Sequence, residues 1–147
     1  MGAMPFDLER FVAAQEGVYE GALRELRQGR KTGHWIWFIF PQLAGLGRSE
    51  MSRFYGIESL AEARAYLDHP VLGARLRECV GAVLATSGRT AEEIFGSLDA
   101  TKARSSMTLF HRAAPEVPLF REMLDRFYAG FTDDATDTLL RQRLPKA

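Results

Sequence analysis

From Phe11 onward the apolar positions recur every three to four residues, at Phe11, Val12, Val18, Tyr19, Ala22, Leu23 and Leu26. That is the spacing of one helix face, and it predicts one helix or two, broken at Gly17 and ended by Gly29. The pattern then changes. Residues 30–42 read "RKTGHWIWFIFPQ", with six large apolar residues in succession from Trp35 to Phe40. Thr32 can cap a short helix there and Pro41 can stop it, although the aromatic and β-branched content would equally suit a buried strand. A glycine-rich loop, "LAGLGRSEM", leads to Ser49, an N-cap for a short helical turn through Phe54 and Tyr55.

Helical signals continue to the end. Ser59 and Glu62 form a capping box for a helix to about Asp68. Pro70 stands in the first turn of the next, whose stripe is Leu72, Leu76, Cys79, Val80 and Val83 and whose end is placed at Gly88. Thr90 and Glu93 form a second capping box, for a short helix closed by Gly96. Ser97 or Asp99 can cap "LDATKARSSMTLFHRA", and "VPLFREMLDRFYAG" is amphipathic between Pro118 and Gly130. Asp133, Asp134 or Thr136 caps a last helix through Leu144. No second run suits a strand, so the expected fold is all-α, about seven or eight short helices around one core. One domain over residues 5–147 is expected, with residues 1–4 read as a tag or start remnant.

Composition narrows the class. Of 147 residues, 46% are hydrophobic and 26% charged, a globular balance that excludes a disordered chain. Nineteen basic residues offset nineteen acidic ones, which removes the bulk attraction to nucleic acid or an anionic membrane. Cys79 is the single cysteine, so no internal disulfide or thiolate cluster is available and a reducing, cytoplasmic home is expected. No segment reads as a leader or a membrane span, and no motif calls for a metal or cofactor.

Three groupings could carry chemistry. In the first, Lys31, His34 and Trp35 share a helical face, Trp37 follows, and Gln42 lies past the proline. Tryptophans offer rigid surfaces for a flat ligand, glutamine offers a donor and an acceptor, and histidine is the side chain suited to acid–base work near neutrality. Burial in the core is the plainer account of the aromatics, but it leaves Lys31, His34 and Gln42 without a purpose. In the second, Asp99, Lys102 and Ser106 fall on one stripe and Ser105 lies beside it. A lysine next to hydroxyls could bind a phosphate or assist a serine nucleophile; a solvated Asp99–Lys102 pair with two surface serines is the simpler alternative. The third contains Tyr66, Asp68, His69 and Arg75, and reads first as a helix cap and turn.

The stretches "RKTGHWIWFIFPQLAGLGRSEMSRFYGI", "EARAYLDHPVLGARL" and "IFGSLDATKARSSMTLF" together resemble a widespread bacterial family, domain of unknown function 1810. The resemblance runs from about Phe6 to Leu140, and one departure is Gly33, where a serine is common. It implies a mainly helical fold and no established activity. The label "calpastatin" often attached to such proteins fails a physical test, since inhibitors of that type are long, polar and disordered.

The reading that joins the first two groupings is a pocket for an anionic, nucleotide-like small molecule, such as an ADP-ribose derivative, with hydrolysis as a further step. Lys31, Trp35, Trp37, Gln42, Asp99 and Ser105 would bind it, and His34, Lys102 and Ser106 would be catalytic. An alternative is a protein-interaction module presenting Phe120, Leu124, Phe127, Tyr128 and Phe131 as an outer stripe. A third, nucleic-acid binding, has only Arg24, Arg27, Arg30 and Lys31 behind it.

Overall fold

A computed structural model describes residues 6–143. Among the described residues ten helices run in chain order: α1 (Glu9–Gln15), α2 (Tyr19–Arg27), α3 (Ile36–Ile39), α4 (Glu50–Phe54), α5 (Leu60–Asp68), α6 (Leu72–Leu84), α7 (Ala91–Phe95), α8 (Ser97–Ala113), α9 (Pro118–Phe127) and α10 (Asp134–Arg143). The fold is all-α and forms one compact domain; among the described residues the nearest thing to a sheet is a lone parallel bridge between Leu43 and Ile57. The count exceeds seven or eight because α3, α4 and α7 are single turns of four or five residues. Periodicity has too few positions to register over such lengths.

The local signals account for most boundaries. Gly17, at φ 72°, takes the left-handed turn that separates α1 from α2. Ser49 and Ser59 accept the backbone N–H groups of Ser52 and Glu62, at 3.1 and 3.0 Å. Thr90 and Glu93 complete a reciprocal box. Ser59 and Glu62 do not: Glu62 Oε1 instead accepts the Glu58 N–H at 2.8 Å, while Oε2 meets Arg10 at 3.1 Å. His69 caps the approach to α6, its Nδ1 accepting from the N–H groups of Val71 and Leu72 at 3.1 and 3.2 Å.

Four expectations are corrected. Thr32 does not cap α3, which starts after Trp35 without a side-chain cap. Neither Ser97 nor Asp99 caps α8; both lie inside its first turn, which follows Gly96 directly. α6 stops at Leu84, short of Gly88, where Thr86 turns its hydroxyl onto the Val83 carbonyl at 2.8 Å. The stripe proposed as an outer face is largely interior, with Phe120 and Leu124 fully buried, Phe127 and Tyr128 half-buried and only Phe131 exposed. Asp133 proves to be the cap of the last helix, and the expected end at Leu144 lies outside the described residues, as do residues 1–5.

The long helix α8 forms the axis, packing against α5, α7, α9 and α10 and touching α3. Its interior side is aromatic: Phe110 lies 5.4 Å from Tyr66 and 5.7 Å from Phe120, ring centre to ring centre. Tyr66 continues to Phe11 at 5.1 Å, edge to face. Gln15, fully buried on α1, donates to the Phe38 carbonyl at 2.8 Å and accepts from Arg75 at 3.2 Å, so it ties α1 and α6 to the end of α3. This fixes the tryptophan segment against α1 and α6, and α3 also packs on α8.

Candidate functional site

The segment that carries Lys31 to Trp35 is held by a residue the sequence reading passed over. Glu25, on the last turns of α2, accepts three hydrogen bonds on one carboxylate oxygen: from the N–H groups of Thr32 (2.7 Å) and Gly33 (2.8 Å) and from the Trp35 indole (3.0 Å). Burial alone would raise its pKa, but the Gly33 and Thr32 N–H groups and the indole outweigh that and hold it below the ordinary carboxylate value. Gly33 leaves room for this clamp: a Cβ there would stand 2.8 Å from the Trp35 ring and 3.3 Å from Glu25, so a larger residue would shift the indole. The available clue was weak: Glu25 is an acid among the arginines of "RELRQGRK".

The clamp turns Lys31 inward. Its ammonium lies 2.6 Å from Asp99 Oδ2, donates to the Gly33 carbonyl, and sits 4.9 Å above the centre of the Trp35 ring. Lys102 reaches the other oxygen of Asp99 at 3.6 Å and lies 5.2 Å over the Trp37 ring. Two lysines therefore flank one carboxylate, and a cation covers one face of each tryptophan. The structure brings Lys31, Trp35 and Trp37 together with Asp99 and Lys102, from segments some seventy residues apart.

Their availability differs. The Lys31 side chain is 5% exposed and its charge is taken up by Asp99, whereas Lys102 is 29% exposed and held by a longer contact. Trp35 is 2% exposed with its N–H satisfied, which makes it a core residue and leaves no face for stacking. Trp37 is half-buried, and its N–H, sealed from solvent, has no hydrogen-bond partner. It borders a nook of about 10 Å³ lined also by Gln42, Leu43, Gly47, Ser52 and Tyr55. That is room for about one water molecule or one oxygen atom of a ligand. Among the described residues, neither the Gln42 amide nor the Tyr55 hydroxyl makes a hydrogen bond within the protein.

The remaining candidates fall into other settings. Ser105 and Ser106 are buried rather than solvated; Ser105 Oγ donates back to the Thr101 carbonyl at 3.2 Å, and Ser106 Oγ has no partner. His34 is exposed, and among the described residues no hydrogen bond orients it. His69 is occupied as a cap, and Arg75 by Gln15 and the Tyr19 ring, 4.8 Å from its guanidinium. Of the basic cluster, Arg24, Arg27 and Arg30 are exposed, Arg27 lies 3.6 Å from Glu78, and Lys31 points away from solvent. Among the described residues no helix is long and apolar enough to cross a membrane.

An all-α domain with a lysine–aspartate–lysine bridge under two tryptophans is thus the class that fold and site define. The chain belongs to the family described as protein of unknown function (DUF1810), whose pattern matches residues 5–140. It is similar to a crystallised conserved hypothetical protein, Rv1873 from Mycobacterium tuberculosis, at 54% sequence identity and a TM-score of 0.92, over 94% of this chain and 99% of that one. No curated protein matches.

Proposed function

We propose that the chain binds a small anionic molecule, of the kind carried by nucleotides and sugar phosphates, at the outer edge of Trp37. The observation that carries this reading is the Trp37 N–H, a buried donor with no partner, on a side chain that lines a nook together with Gln42 and Tyr55. An unsatisfied buried donor costs about 1–3 kcal/mol, a cost that an incoming acceptor removes. Lys102, beside the same ring and loosely held, supplies charge for the rest of the anion. Asp99 keeps that lysine in place, and Lys31 offsets Asp99.

The nook takes one oxygen and no ring, far below the roughly 300 Å³ at which pockets enclose a drug-sized ligand. The ligand is therefore gripped by an oxyanion while its body lies on the surface, without a slot between two tryptophans. Binding alone is proposed, because among the described residues Ser106 Oγ has no hydrogen-bond partner and no hydrogen bond orients His34.

The test is a thermal-shift screen with inorganic phosphate, nucleotides, ADP-ribose and sugar phosphates at millimolar concentration, on the parent chain, Lys102→Ala and Trp37→Phe. A ligand at a hundred times its dissociation constant stabilises by about 2.7 kcal/mol, so even weak binding registers. Stabilisation of the parent that both variants lose is the expected result. A blank screen, or an equal shift in all three proteins, overturns the reading.

A further inference from the structure

Ser52 lines the same nook as Trp37, and it is tied to a second hydroxyl. Ser49 Oγ lies 3.0 Å from Ser52 Oγ and accepts the Ser52 N–H at 3.1 Å. The Ser52 side chain faces Gly47, another wall of the nook: a Cβ on that glycine would stand 2.7 Å from Ser52 Cβ and closer still to its Oγ. We infer that Ser52 is a further binding residue, a second donor to the oxygen seated beside the Trp37 indole, and that Ser49 positions its hydroxyl; this rests on the binding site just proposed.

A serine hydroxyl carries one hydrogen and can accept on its remaining lone pairs, so either serine can donate across the contact between them. The Ser52 N–H anchors Ser49 Oγ whichever way that hydrogen points. When an anion's oxygen enters, Ser52 turns its hydrogen to it and Ser49 turns its own onto Ser52. The bond between the serines survives, the ligand gains a donor, and no hydroxyl is left short. Such a chain also polarises the Ser52 hydroxyl and strengthens its bond to a charged oxygen. The polar side chains that line the nook, Trp37, Gln42, Ser52 and Tyr55, are all neutral, and each offers an N–H or O–H. The indole can only donate, so the seated atom is an acceptor, as in a terminal phosphate oxygen; an amine or amide N–H would meet the indole hydrogen head on.

The experiment follows the indole N–H signals of Trp35 and Trp37 by proton NMR as inorganic phosphate is added, with Trp37→Phe assigning them by loss. In the parent the Trp37 signal should move, and that of Trp35, already bonded to Glu25, should stay. Ser52→Ala should need about tenfold more phosphate, the factor for one hydrogen bond to a charged group. Gly47→Ala keeps every donor but presses a methyl against the Ser52 hydroxyl, and should weaken binding as well. Ser49→Gly, which retains most of the cap, should cost about two- to threefold through the lost polarisation. Arg53→Ala, on α4 but outside the nook, should match the parent. If Ser52→Ala titrates like the parent while Lys102→Ala does not, the serine is overturned and the proposed site stands. A Trp37 signal that phosphate leaves unmoved in the parent overturns both. Ser49→Gly binding as tightly as the parent overturns the positioning by Ser49, and Arg53→Ala weakening as much as Ser52→Ala overturns the donor by tracing the loss to α4 itself.

Discussion

Glu25 shows what a single side chain can organise. One carboxylate oxygen positions Thr32, Gly33 and Trp35, and through them the lysine that meets Asp99. Because folding depresses its pKa, its contribution is complete above its ordinary value of 4.5 and is lost as pH falls through the lower folded value. Urea unfolding of the parent and Glu25→Gln should therefore differ by a constant amount from neutrality down to about pH 4.5 and converge below it. A gap that widens on acidification would contradict the clamp. Gly73 is a second residue-scale case. A Cβ there would lie 2.0 Å from the Leu67 carbonyl oxygen, and that oxygen is backbone, unable to step aside. Gly73→Ala should cost about 3 kcal/mol or more by forcing α5 and α6 apart, visible as a lowered thermal midpoint. The sequence displayed Gly73 within a family-like motif, but the contact that demands it was invisible there.

Between elements, the docking of α10 on α8 is carried by Asp133. Its Oδ2 accepts the Thr136 N–H at 3.0 Å and the Thr136 hydroxyl at 2.6 Å, while Oδ1 lies 3.6 Å from Arg104. Its own N–H donates to Thr108 of α8 at 2.9 Å. Asp133→Asn retains a capping oxygen and loses the ion pair, whereas Asp133→Ala loses both. Chemical denaturation should place the alanine variant about 2 kcal/mol below the parent and the asparagine variant between them. Equal losses would assign the whole effect to the charge. Caps of this kind were legible because they are local: Ser49, Ser59, Thr90 and Asp133 bond groups three residues ahead. α3 was ambiguous because four residues hold no helical period, and its place comes from Gln15, which grips the Phe38 carbonyl from α1.

At the scale of the molecule, α8 collects the aromatic core, and Cys79 is sealed on α6, which packs against α2, α5 and α9. Burial pushes the Cys79 thiol up to about 12, so the native protein should resist thiol reagents at neutral pH and be labelled only as it unfolds. Labelling that follows the unfolding rate supports this, and labelling as fast as a free thiol refutes it. The sequence by itself determined the helical class, most of the caps and the residues worth weighing, since periodicity and capping act within a few residues of chain. Only the tertiary structure decided which candidates stay available. It spent Lys31 on Asp99, sank Trp35 into the core, buried both serines and left Trp37 with an unmet donor. Those outcomes depend on contacts between residues far apart in the chain, where burial and pairing are set by packing and no local pattern records them.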